Sequence, residues 1–266
     1  MKSELSIIIV NYNGLKYLKK CFDSIYDKLY NISFEIIVVD NNSSDESCQF
    51  IKENYNKVIL IESKENLGFG KANNLGVQIA NSETVLLLNN DTILLSRIDE
   101  VVKLLNSRQD IGAVTINMLN GEGRYTNATG RFPTPLRLLK ISFLTEKRKE
   151  FKTGIFNEAK IYEADWITGA FMMLRKADYQ KVGGFDSDYF MYVEDVDICK
   201  KLADIGKKCI FIPHLKYIHF VGFNKTRENM LIEGYRIYSL KHFTGVSKII
   251  ANMMLSINAV VKRIKN

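Results

Sequence analysis

Within the first 120 residues, unbroken apolar runs alternate with amphipathic stretches, and this alternation restricts the possible folds more than any other feature. Residues 5–10 and 34–39 are continuous β-branched runs. Between them Leu15, Leu18, Phe22, Ile25 and Leu29 recur at helical spacing. Ser43 and Glu46 are spaced as a capping box, predicting a helix that runs through Ile51 and Tyr55. Residues 58–61 and 84–88 read as strands around a helix near 71–80. Ile98, Val101, Val102 and Leu105 predict a further helix before a strand at 111–116. Continuous apolar strands separated by such helices imply an α/β fold, a Rossmann-like and mostly parallel sheet with helices on both faces. Ligands of such sheets bind outside the carboxyl ends of the strands, so polar residues there are the first to inspect.

The alternation is lost over 120–165, which holds Gly121, Gly123, Pro133 and Pro135 and predicts a loop-rich, mobile segment. Residues 166–174 return as a strand-like apolar run, 194–205 read as a helix stopped by Gly206, and the pattern is helical from about 228 onward. The net charge of +7 is unevenly spread: −2 over 1–136, +4 over 137–152, −1 over 153–224 and +6 from Lys225 on. A slightly acidic body with basic patches at an insert and a tail argues against a nucleic-acid groove, and no nucleic-acid partner is expected. The apolar run at the N-terminus is too short for a secretory signal, and no stretch reaches the roughly 18 apolar residues of a membrane span. Cys21, Cys48, Cys199 and Cys209 lack metal or scaffold spacing, and the expectation is reduced thiols in a cytoplasmic protein.

Chemistry concentrates at strand ends. The second apolar run leads into Asp40, and the run at 84–88 leads into Asn89-Asn90-Asp91. Asp40 serves either as a turn or cap residue or as an acceptor for a nucleobase imide N–H. Asp91 reads the same way, or as an oxygen ligand for a divalent cation bridging phosphates. The glycines around Gly68-Phe69-Gly70-Lys71 satisfy neither a dinucleotide fingerprint nor a P-loop, since Asn73 stands where the third glycine belongs and Ala72 follows Lys71. A glycine-rich turn into a helix remains, with Lys71 placed to meet phosphate or simply exposed. Glu194, Asp195 and Asp197 crowd a predicted helix start, where acids either complement the helix dipole or supply a carboxylate base. His219 lies between apolar residues and reads as a packed histidine or as a metal or diphosphate ligand.

Taken in order, Ser6 to Asn13, Val38 to Asp45, Asn66-Leu67-Gly68-Phe69, Asn90-Asp91, Gly183-Gly184-Phe185-Asp186 and Glu194-Asp195 resemble glycosyltransferase family 2, in particular its rhamnosyltransferase-like branch in bacterial surface polysaccharide synthesis. The resemblance covers about residues 4–222. It implies a GT-A fold over 1–222, with a nucleotide-sugar half at 1–118 and an acceptor half at 119–222, followed by a basic helical extension at 223–266. It further implies inverting transfer from a nucleotide-diphosphate sugar, dTDP-rhamnose or a UDP-sugar, to a saccharide or lipid-linked acceptor. By position, Asn11, Tyr12, Asp40, Asn42, Asn66, Lys71 and Asn90 would hold the nucleotide sugar. Asp91, with His219, would hold Mg²⁺ or Mn²⁺. Asp195 would be the general base beside Glu194, and Trp166, Gly169 and Ala170 would line the acceptor pocket. The family's D-x-D motif reads Asn89-Asn90-Asp91 here, with one acid in place of two.

Two rivals differ in class. A sugar-1-phosphate nucleotidyltransferase would place a glycine-rich loop with Arg after the first strand, where this chain has Asn11 to Lys16. A degenerate nucleotide-sugar-binding scaffold would not need the Glu194-Asp195 pair. In the tail, Ile249, Ile250, Met253, Met254, Ile257, Val260, Val261 and Ile264 fall at helical spacing among Lys248, Lys262, Arg263 and Lys265. Such a helix either packs on the body or lies as residues 246–266 on an anionic inner leaflet, making the protein peripheral to the cytoplasmic membrane.

Overall fold

The structure, a computed structural model, describes residues 3–220 and 225–265, with side chains from 229 to 261 in the second segment. The expected boundary at 222 and the side chains of Lys262, Arg263, Ile264 and Lys265 lie outside the described residues. The alternation read from sequence is realised as β1 (Leu5–Asn11), α1 (Leu15–Lys28), β2 (Phe34–Asp40), α2 (Ser47–Asn54), β3 (Ile59–Glu62), α3 (Gly68–Ile79) and β4 (Thr84–Asn89). There follow β5 (Thr92–Leu94), α4 (Asp99–Ser107), β6 (Ile111–Leu119) and β7 (Thr129–Gly130). Two 3₁₀ turns, Leu136–Leu139 and Ile141–Leu144, precede α5 (Lys149–Thr153), β8 (Tyr162–Ala164) and β9 (Trp166–Ile167). The chain ends with β10 (Phe171–Arg175), α6 (Lys176–Lys181), α7 (Glu194–Asp204), β11 (Lys208–His219), α8 (Lys225–His242) and α9 (Gly245–Lys265).

One sheet runs in the order β3-β2-β1-β4-β10-β6-β11-β5, with β8 also pairing β11 and a small β7-β9 ribbon beside it. The strands β3, β2, β1 and β4 are parallel; β10 enters antiparallel between β4 and β6. Both faces are covered, which explains the continuous apolar runs: Ile7 and Ile9 point into a core with Leu18, Phe22 and Ile25 of α1, and Ile8 points to the other with Val77 of α3 and Ile198 of α7. Each such fully buried side chain is worth about 1.5–3 kcal/mol relative to exposure. A third cluster joins Leu138 and Leu144 to Val193, Val196 of α7, Tyr235 and Tyr238 of α8, and Ala251 and Leu255 of α9.

Four expectations change. The Ser43/Glu46 capping box does not form, because the Ser43 hydroxyl bonds the Asp40 carboxylate instead, and α2 opens at Ser47 with no side-chain cap. The stretch 120–165 is not a bare loop; it builds short elements and buries Leu138, Leu144 and Phe151. The run at 166–174 is two strands in different sheets, split at Gly169 and Ala170. The helical tail breaks between α8 and α9 at Phe243 and Thr244. Among the described residues, no helix is long and apolar enough to cross a membrane, and the four cysteines are free thiols.

Candidate active site

The carboxyl ends of β1, β2 and β4 are tied together by a row of side chains. Asn11 ends β1 directly opposite Asp40, which ends β2. The Asn11 amide Nδ2 donates to Asp40 Oδ2 at 2.8 Å, and its Oδ1 accepts from Asn90 Nδ2 at 2.7 Å. Ser43 closes the loop after β2 over the same carboxylate, its N–H donating to Oδ1 at 2.8 Å and its hydroxyl to Oδ2 at 2.7 Å. The loop after β1 is latched to it, since Asn13 Oδ1 accepts from Ser44 N at 2.8 Å and Asp45 Oδ2 from Leu15 N at 3.1 Å. Asp40 is buried, and the Cys48 thiol also hydrogen-bonds its carboxylate. Tyr12 stands more than half exposed beside this row.

The other proposed nucleotide-sugar residues are less closely gathered. Asn42 is exposed in the left-handed region (φ 64°), and its buried neighbour Asn41 instead reaches Gly68 O at 3.0 Å. Asn66 Oδ1 accepts from Gly68 N at 2.9 Å, shaping the turn into α3. Gly68 is required there: its φ is +77°, and a Cβ would collide with the Phe190 carbonyl that accepts Phe69 N at 2.9 Å. Lys71 is exposed on the first turn of α3.

A second cluster lies where β4 meets β5 and β11. His219 Nε2 is 3.1 Å from Asp91 Oδ1 and 3.1 Å from Asn89 Nδ2. One ring nitrogen carries either a proton or a lone pair, so it cannot donate to the carboxylate and accept from the amide together. Asn89 Oδ1 and His219 Nδ1 are buried without hydrogen-bond partners. A divalent cation would accept the imidazole lone pair and the carboxylate oxygen at once, so the residues present fit one. They fit as a partial shell: among the described residues, no three His, Cys, Asp or Glu side chains converge, and the remaining ligands would be phosphate oxygens and water. The imidazole nitrogen favours Mn²⁺ over the oxygen-demanding Mg²⁺.

A third cluster gathers around Gly169, Ala170 and Asp195. Ala170 O accepts from Asn89 N at 3.0 Å, fixing this stretch to the end of β4. At Gly169 a side chain would press on the Phe69 ring, 3.0 Å from the Cβ position, with the Asp195 Cβ 3.7 Å away, so α3 and the start of α7 nearly meet here. Asp195 Oδ2 accepts from Gly169 N at 3.2 Å and Oδ1 from Val196 N at 2.9 Å. Trp166 is half-buried, lies opposite Gly130, and donates its Nε1–H to Arg131 O at 3.1 Å.

The three acids of α7, alike in sequence, are sorted by environment. Burial, with Asp195 beside it, holds the Glu194 carboxyl well above the usual carboxylate range. Asp197 is fully buried and gripped by Lys201 Nζ at 2.8 Å and His242 Nε2 at 2.7 Å, with the Tyr189 hydroxyl at 3.3 Å. Of the three, Asp195 alone is half-buried. Just before the trio, Tyr192 and Val193 are left-handed (φ 71° and 73°), a strained state of order 1–3 kcal/mol for such residues, held by packing around Val193. The grip of His242 on Asp197 spans 45 residues and has no local signal in sequence.

Glu194→Gln tests this sorting by pH. A carboxyl whose pKa is raised on folding contributes stability that is full below its unfolded value of 4.5 and lost as pH rises towards its raised folded value. The glutamine variant lacks that loss, so its melting temperature gains on the unsubstituted protein between pH 5 and pH 8. Parallel profiles across that range would contradict the assignment.

Comparison with known proteins identifies the family. The family model described as glycosyl transferase family 2 matches residues 6–183, and one described as the N-terminal domain of galactosyltransferase matches 151–225. The rhamnosyltransferase WbbL of Escherichia coli K12 is 37% identical over 82 residues, 30% of each chain. The N-acetylglucosaminyl-diphospho-decaprenol L-rhamnosyltransferase of Mycobacterium tuberculosis is 23% identical over 246 residues, 86% of this chain and 80% of that one. The crystal structure of GalNAc-T7 with UDP, GalNAc and Mn²⁺ superposes with a TM-score of 0.69 at 16% identity, covering 88% of this chain and 47% of that one, a likeness of fold. The chain thus spans less than half the length of WbbL and of GalNAc-T7 in these matches. With a family model covering residues 6–183 and the GT-A fold in place, this chain belongs to glycosyl transferase family 2 and is by family a glycosyltransferase.

Proposed function

We propose that the protein moves a sugar, with inversion at C1, from a nucleotide-diphosphate sugar to a hydroxyl of a saccharide or lipid-linked acceptor in bacterial surface polysaccharide synthesis. The observation that carries this reading is Asp195, the one half-buried acid of its trio, held by the Gly169 N–H beside Phe69 of the nucleotide half. Residues 1–118 would bind the donor through Asn11, Tyr12, Asp40 and Asn90, and 119–222 would present the acceptor along Trp166, Gly169 and Ala170. The Asp195 carboxylate takes the acceptor hydroxyl proton as that oxygen attacks C1 from the face opposite the nucleotide. Glu194, protonated beside it, spares the pair a second buried charge and can donate a hydrogen bond to the acceptor. Because one displacement inverts C1, no covalent carboxylate intermediate is needed. Asp91 and His219 would hold Mn²⁺ or Mg²⁺, which when bound neutralises charge on the leaving diphosphate. Mn²⁺ is named in the GalNAc-T7 structure, and a rhamnosyl donor and a polyprenyl-linked acceptor are suggested by the names of the two rhamnosyltransferases. The donor candidates are dTDP-rhamnose and a UDP-sugar, with the protein working on the cytoplasmic side of a membrane.

A panel of nucleotide sugars, scored for release of free nucleoside diphosphate with and without Mn²⁺, tests the reading. One donor is expected to turn over. No release from any donor would leave the fold serving as a binding scaffold.

A further inference from the structure

We infer that α9 and the 3₁₀ turns beneath it form one docking surface for an anionic phospholipid bilayer. The tail helix satisfies both alternatives read from its sequence, on opposite faces. Its inner face is packed: Ala251 and Leu255 are fully buried in the third core cluster, and Asn258 Nδ2 donates to Leu138 O at 3.1 Å. Its outer face is an unpartnered apolar stripe at helical spacing, with Val246, Ile249 and Met253 at 71%, 68% and 51% exposure, continued by Ile257 and Val260. The turn on which the helix rests behaves alike: Leu138 points inward while Leu136 and Leu139 on either side are exposed. Leu136 and Leu139, at 69% and 40% exposure beside the packed Leu138, add a second apolar exposure next to the helix.

Charge identifies the occupant. No acidic residue follows Glu233 in the sequence, whereas α9 itself carries Lys248, Lys262, Arg263 and Lys265, and the 137–152 insert adds a net +4. A second copy would bring like charge against like charge across a two-fold interface, whereas an anionic headgroup layer complements both patches. The surface is also linked to the candidate site. α8, which precedes the stripe, grips Asp197 through His242 and reaches Asp186 and Asp188 through Lys241 at 2.9 and 2.7 Å. A membrane seated on α9 would therefore be held in fixed relation to the helix that carries Asp195. The inference goes beyond the proposed sugar transfer and its readout needs no sugar, so either can fail alone.

The full chain is sedimented with vesicles of phosphatidylcholine alone or mixed with phosphatidylglycerol. The expected result is binding to the mixed vesicles that weakens at high salt. The triple variant Ile249→Asp, Met253→Asp, Val260→Asp, all on the exposed face, is expected to keep its melting temperature and lose at least about tenfold in vesicle affinity. Leu136→Asp with Leu139→Asp is expected to weaken binding independently. The inference is overturned if the unsubstituted chain stays in the supernatant, or binds neutral vesicles equally well. It is likewise overturned if the stripe variant sediments unchanged, or if that variant instead dissociates a dimer seen by light scattering. Unchanged sedimentation of the Leu136/Leu139 variant would overturn the joint surface.

Discussion

Replacing Asp195 by asparagine is expected to lower sugar transfer at least about a hundredfold while leaving nucleotide affinity unchanged. Asparagine keeps the size and one acceptor oxygen, so the bond from the Gly169 N–H and the start of α7 survive. What disappears is the ability to take a proton. The loss falls on kcat, because the base acts in the transition state and the donor row at Asn11, Asp40 and Asn90 is untouched. Transfer at the original rate would remove Asp195 from the role of base. A fall in nucleotide affinity of the same size would show instead that the substitution disturbs the whole cleft.

Asp40→Asn is expected to do the reverse, weakening nucleotide binding by about tenfold or more. Three N–H or O–H donors converge on this buried carboxylate: the Asn11 amide, the Ser43 N–H and the Ser43 hydroxyl. An amide NH₂ in its place faces one of them donor to donor, and an unsatisfied buried polar group costs about 1–3 kcal/mol. Since 1.4 kcal/mol is about tenfold in affinity, the lost latch is visible both in the melting temperature and in titration with UDP or dTDP. Equal affinities for the two proteins would show that the row shapes the loops without shaping the binding site.

The parts of the molecule that were legible in sequence are those with local causes. β1, β2 and β4 were readable because both sheet faces are buried, so their runs are apolar on both faces apart from Ser6 and Glu35 near the starts of β1 and β2; α1 was readable because it buries one stripe. β11 was not, since Lys208, Pro213, His214 and Lys216 break its pattern, with a bulge at 213–215 whose Pro213 carbonyl accepts from Asn117. The antiparallel entry of β10 between β4 and β6 is a tertiary pairing with no local mark. The residues proposed for the site stand out in sequence, because they are acids and amides that follow buried strands. Their arrangement does not. Ser43 looked like a cap, but Asp40, held beside it by strand pairing, competes for its hydroxyl. Glu194, Asp195 and Asp197 look alike in sequence, and only burial, the Gly169 N–H and the distant His242 tell them apart.

The most direct test of the central claim follows the donor panel by proton NMR, with the unsubstituted protein and Asp195→Asn side by side. The prediction is release of nucleoside diphosphate from one donor, the first-formed sugar product having the anomeric configuration opposite to that donor, and no such product from the variant. Product that retains the donor's configuration, or that forms equally fast with Asp195→Asn, would contradict it.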